Sequence, residues 1–108
     1  MANKLTKKTK TTNGKQDSER AEYVFRLFVT GILPNSVRAI TNSKAICEKY
    51  LKDRYELEII DIYQQPAMAL EEEIIAIPLL VKRFPLPEER VIGDLSNVEE
   101  VLKGLHII

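Results

Sequence analysis

Residues 23–29, Tyr-Val-Phe-Arg-Leu-Phe-Val, constrain most strongly what this chain can fold into. Seven consecutive β-branched, aromatic and aliphatic residues with Arg26 as the sole polar member show neither helical spacing nor the alternation of a strand with one wet face. Such a run reads as a strand buried on both faces, so layers must cover it from above and below. Thr30-Gly31-Ile32-Leu33-Pro34-Asn35-Ser36 follows, punctuated by Gly and Pro and ending in two residues suited to capping a helix. A helix is expected from there to about Lys52. Val37, Ile40, Cys47 and Leu51 form its apolar side, with Ala39, Ile46 and Tyr50 beside them and Arg38, Thr41, Asn42, Glu48 and Lys49 opposite.

The rest of the chain continues in short elements. Residues 55–63 read as a second strand whose first half alternates polar and apolar, and Gln64-Gln65-Pro66 breaks it. Pro66 suits the first turn of a short helix through Ala76, with Met68, Leu70, Ile74 and Ile75 inward and Glu71-Glu72-Glu73 in solvent. Residues 77–81 read as a third strand, 84–89 as a stiff turn with two prolines, and 90–93 as a short fourth strand paired back on the third. Ser96-Asn97-Val98-Glu99 has the spacing of a capping box, and Val98, Val101, Leu102 and Leu105 follow at helical intervals. The order is β-α-β-α-β-β-α, with the first two strands parallel through a right-handed crossover and the last two antiparallel. Helices on both faces of a small mixed sheet make this an α/β fold of thioredoxin-like type.

Charge and composition narrow the function classes. Sixteen Lys+Arg balance sixteen Asp+Glu, but the balance is uneven along the chain. Lys4, Lys7, Lys8, Lys10, Lys15 and Arg20 outnumber Asp17, Glu19 and Glu22 near the start, which leaves the remainder with a net charge of −3 against +3. Residues 1–21 hold little apolar surface to offset the entropy of ordering and read as a basic disordered tail ahead of a domain at 22–108. No aromatic is interleaved with the tail lysines, so base stacking on nucleic acid is not expected. The apolar runs are too short to span a membrane, and the first residues lack the apolar segment of a signal peptide, so a cytoplasmic protein is expected. One cysteine, Cys47, excludes an internal disulfide, a Cys-x-x-Cys pair and a cysteine zinc site.

In a thioredoxin-like fold the reactive thiol lies where the first strand's loop enters the long helix. Pro34-Asn35-Ser36 stands there, a degenerate redox loop without cysteine, with Asn35 or Ser36 expected as a cap. Cys47 falls on the helix's apolar side, where burial raises a thiol's pKa. His106 reads as a surface or terminal packing residue. Glu71, Glu72 and Glu73 with Asp61 offer oxygens to a hard cation, but consecutive helical residues point in different directions, so no metal or cofactor is expected. Gly93-Asp94-Leu95-Ser96 reads as a turn capping the last helix. Pro78, opening a strand directly after a helix, matches the place of the cis-proline beside a thioredoxin-like active-site loop.

Residues 23–31, the Pro34-Asn35-Ser36-Val37-Arg38-Ala39 run, Ile60-Asp61-Ile62, Ala76-Ile77-Pro78 and Ile92-Gly93-Asp94-Leu95-Ser96-Asn97 together strongly resemble the KaiB family of circadian-clock proteins. The resemblance implies a non-enzymatic, metamorphic binding protein. Its resting homotetramer or dimer, with the C-terminal third rearranged to βαββααβ, exchanges slowly with a thioredoxin-like monomer. That monomer docks on a KaiC-type hexameric ATPase, with KaiA as a further partner in full clocks and stress adaptation as the setting where KaiA is lacking. Tyr23, Gly93 and Asp94 carry over as the residues that set the balance between folds, so that Gly93→Ala and Asp94→Arg would speed docking by weakening the resting form. Two other readings are a thioredoxin-like oxidoreductase using Cys47 and a KaiB-like sensory module contacting a histidine kinase.

Overall fold

The computed structural model describes residues 21–73 and 76–107, so the expected basic tail lies outside it apart from Ala21, as do Ile74, Ile75 and Ile108. Seven elements follow one another: β1 (Tyr23–Val29), α1 (Pro34–Tyr50), β2 (Tyr55–Asp61), α2 (Pro66–Glu71), β3 (Leu79–Phe84), β4 (Glu89–Ile92) and α3 (Val98–Gly104). The strand order is β2-β1-β3-β4. β1 runs parallel to β2, with Tyr23 opposite Tyr55 and Val29 opposite Asp61. It runs antiparallel to β3, with Leu27 opposite Leu80, and β3 pairs antiparallel with β4.

The apolar run thus becomes an inner strand with a neighbour on each edge and a core on each face. Successive side chains of a strand point to opposite sides. Phe25, Leu27 and Val29 join Leu57 and Leu80 beneath Ala39, Ile46, Cys47 and Leu51 of the α1 segment and Val101, Leu102 and Leu105 of the α3 segment. Phe28 faces the other way with Ile60, Leu79 and Val81, packed against Met68, Ile62 and Ile77. The buried hydroxyls of α1 are satisfied: Ser43 Oγ donates to the Ile40 carbonyl at 3.1 Å, and Ser36 Oγ accepts the Thr30 N–H at 3.0 Å.

Several boundaries differ from the sequence reading, each for a local reason. α1 begins at Pro34, whose missing N–H costs nothing in a first helical turn, so Ser36 lies inside the helix and Leu33 supplies the first carbonyl to Val37 N at 3.0 Å. Packing turns Ser36, Ala39, Ser43, Ile46 and Cys47 inward and leaves Val37 exposed. α2 stops at Glu71 and Leu70 points to solvent. β2 ends at Asp61, whose carboxylate accepts the Tyr63 N–H at 2.9 Å and turns the chain. At α3 the cap is Asn97, not Ser96, with its side-chain oxygen accepting from Glu100 N at 3.2 Å.

The Glu71–Glu73 run is not uniformly solvated. Glu72 is 12% exposed and gathers guanidinium groups from three strands, with Arg83 Nη1 at 2.6 Å, Arg26 Nη1 at 3.3 Å and Arg90 Nη2 at 3.7 Å. These contacts fasten the end of α2 to the sheet. Phe28 is fully buried in the smaller core, where few neighbours can close a void. Phe28→Ala is expected to cost about 3–5 kcal/mol of unfolding free energy, read as a fall in the urea midpoint with an unchanged m-value.

Candidate functional site

The carboxyl end of β1 brings together most of the residues singled out above. Thr30 N–H is held by Ser36 Oγ, Gly31 turns with φ 51°, and the Tyr63 ring carbons lie 3.8 Å from where a Cβ on Gly31 would stand. The peptide bond between Ile77 and Pro78 is cis, and the Pro78 carbonyl accepts the Gly93 N–H at 2.9 Å. Gly93 takes φ 118°, a conformation that L side chains rarely adopt, although nothing lies within 4 Å of its Cβ position. Backbone conformation, not space, calls for glycine there.

The two most specific sequence runs meet through one ion pair. Arg38 Nε donates to Asp94 Oδ2 at 3.0 Å, and the same guanidinium bonds the Asn35 side-chain oxygen. One helical turn on, Asn42 Nδ2 donates to the Asp94 carbonyl at 2.8 Å, while Ser96 N–H donates to Asp94 Oδ1 at 3.0 Å. Asp94 is therefore bound through both its side chain and its backbone, and Leu95 beside it, at φ 66°, is buried in the main core. The Ser96 hydroxyl, the Arg38 guanidinium and the Ser96 N–H together hold the Asp94 carboxyl below its ordinary range. The same end of the sheet carries exposed apolar side chains: Ile32 is 90% exposed, Leu33 and Val37 at the start of α1 are about half exposed, and Tyr63, 75% exposed, lies against Gly31.

The other candidates stand apart. Tyr23 lies at the opposite end of β1, its ring stacked on Phe25 with centroids 6.1 Å apart and Arg54 above it. Cys47 is 2% exposed and its thiol is pushed up to about 12 by burial and then by Glu48. The Tyr55 hydroxyl donates to Glu48 Oε2 at 2.7 Å, and burial together with that carboxylate raises its pKa. His106 is exposed, with Nδ1 3.0 Å from Glu89 Oε2. Among the described residues no group of three His, Cys, Asp or Glu is placed to hold a metal ion, and no helix is long and apolar enough to cross a membrane.

Sequence reasoning missed Asn42, Arg38's role and the exposed Ile32, Leu33 and Tyr63. Arg38 and Asn42 had been placed on the solvent side of the helix, and their spacing of four residues was the available sign of a shared partner. Two large apolar residues inside a Gly-Pro loop were the sign of the exposed side chains.

Comparison with known proteins places these features in a family. A model of the KaiB domain matches residues 26–107. The chain is 48% identical over 85 residues to the circadian clock protein KaiB3 of a Synechocystis species, covering 79% of this chain and 83% of that protein. It is 47% identical over 89 residues to the circadian clock oscillator protein KaiB of Thermosynechococcus vestitus, covering 82% of each. Among solved structures it resembles the N-terminal domain of SasA from Synechococcus elongatus, with a TM-score of 0.63 at 20% identity over 95% of this chain and 92% of that one. Chloroplastic thioredoxin z gives a TM-score of 0.67 at 17% identity over 95% and 98%. At those identities the structural likenesses establish a thioredoxin-like fold.

A depressed carboxyl pKa stabilises the folded form above the group's unfolded value, and that contribution disappears as pH falls through the lowered folded value. Asp94→Asn is therefore expected to lower the urea midpoint at neutral pH. It should also lose less stability than the parent protein between about pH 5 and pH 3, where carboxylates take up protons. Parallel pH profiles for the two proteins would contradict the role given to Asp94.

Proposed function

The chain belongs to the KaiB family, and on that premise we propose that it acts as a non-enzymatic adaptor in the cytoplasm. It docks on a KaiC-type hexameric ATPase and regulates it, with KaiA or a histidine kinase as further partners. The setting is circadian timing, as the names of its relatives suggest, or stress adaptation. The arrangement described above is the docking form, and a resting homotetramer or dimer with a rearranged C-terminal third exchanges slowly with it. What carries the reading is the set of exposed apolar residues at the carboxyl end of β1, Ile32, Leu33, Val37 and Tyr63, on the loop and helix whose Arg38 binds Asp94. Exposed apolar clusters of this kind, bordered by polar groups, characterise protein-binding surfaces.

The fold-switching part draws support from the C-terminal third itself. β4 has four residues and α3 seven, with Pro85, Pro87 and Gly93 around them, so tertiary contacts rather than local preference decide their conformation. Gly93→Ala would impose a positive φ on a side chain, and Asp94→Arg would replace the partner of Arg38 with a like charge. Both substitutions also bear on the docking form, so the acceleration that the family resemblance implies requires them to weaken the resting form more. The oxidoreductase reading finds no support in Cys47, whose thiol is buried and far above the reactive range.

Size-exclusion chromatography with light scattering, on the protein alone and with a KaiC-type hexamer and ATP, tests the proposal. A slowly forming complex is expected. Ile32→Asp combined with Tyr63→Ala should weaken it at least about tenfold without lowering the protein's own unfolding midpoint. Failure to form a complex, or a complex indifferent to those two changes, would overturn it.

A further inference from the structure

Lys82 is 2% exposed, the most buried charged side chain among the described residues. It lies on β3 two residues after Leu80, so the alternation of the strand turns it toward the larger core. Its neighbours across the sheet are Phe25 on β1 and Glu89 on β4. Glu89 is the carboxylate that the register sets opposite the ammonium, yet its Oε2 is engaged by His106 Nδ1 at 3.0 Å. Among the described residues Lys82 has no hydrogen-bond or ion-pair partner. The surrounding polar surface does not share this defect: Arg26, Arg38, Arg54, Arg83 and Arg90 each hold a carboxylate.

A buried ammonium without a partner costs free energy that a hydrophobic side chain of similar volume does not. We infer that Lys82 is a built-in destabiliser of the thioredoxin-like arrangement, holding its population down relative to any form in which the ammonium reaches water or a free carboxylate. The inference rests on the two-form reading proposed above and adds the residue through which the balance is biased. His106 Nδ1 takes one of the two oxygens of the carboxylate placed across from Lys82. The cost sits on β3, within the C-terminal third that the two forms arrange differently, so it bears on one form and not equally on both.

The test compares the parent protein with Lys82→Met, which keeps the stem's volume and removes the charge, and with Lys82→Leu should Met pack poorly. Lys52→Met, at an exposed lysine, controls for loss of charge. Two sets of amide resonances in slow exchange are expected for the parent. Lys82→Met should raise the ratio of the thioredoxin-like set by about tenfold or more and speed complex formation in proportion, with Lys52→Met unchanged. Two sets whose ratio neither Lys82 variant moves, or moves away from this arrangement, would overturn the role of Lys82 and leave fold switching standing. A single set in the parent protein and in both Lys82 variants would overturn both.

Discussion

Everything in this fold depends on β1 being an inner strand whose Phe25, Leu27, Phe28 and Val29 are buried on its two faces. Both of its edges are hydrogen-bonded, to β2 in parallel and β3 in antiparallel sense, and both of its faces are packed. Phe25, Leu27, Phe28 and Val29 are each almost fully buried, and burial of side chains of this size is worth about 1.5–3 kcal/mol apiece. Parallel pairing of β1 with β2 obliges the chain to cross over the sheet, and α1 is that crossover. The loop from Thr30 to Leu33 and the start of α1 therefore come to the carboxyl end of the sheet as a consequence of strand burial, before any functional demand is placed on them.

At that end the molecule carries a polar joint and exposed apolar side chains. A thioredoxin-like scaffold normally gives its helix start to a reactive thiol. Here Ser36 Oγ closes the β1–α1 turn and Arg38 reaches Asp94, while the single thiol is sealed under α1. The joint ties the first helix to the turn before the last one, so the loop that bears Ile32 and the C-terminal third are mechanically linked. The last third joins a six-residue strand, a four-residue strand and a seven-residue helix, and it sets Leu79, Leu80, Val81, Leu95, Val101, Leu102 and Leu105 in the cores beside the buried Lys82.

The long elements were legible in the chain because their patterns admit one answer. The run at Tyr23–Val29 gave a strand with the observed boundaries, and the alternation from Tyr55 gave β2 and its parallel pairing. Element order and helix layering followed from these by connection rules. Ends were less legible. Asn35 and Ser36 looked like caps by residue type, but Pro34 suits a first helical turn just as well and moved the boundary back two residues. Glu72 looked solvated because its sequence neighbours are charged, and only the fold brings Arg26, Arg83 and Arg90 to it. The Arg38–Asp94 pair spans 56 residues, and no local pattern announces a contact at that separation. Lys82 shows the same limit from the other side, since a lysine in a strand reads as an edge or surface residue until its cross-strand neighbours are known.

The central claim is that the arrangement described here is the one that docks. Backbone secondary chemical shifts of the isotope-labelled protein, bound to an unlabelled KaiC-type ATPase ring, test it most directly. The account predicts extended shifts over Leu79–Phe84 and Glu89–Ile92 and helical shifts over Val98–Gly104 in the bound protein. Helical shifts over residues 78–83 with extended shifts in the last residues would contradict it.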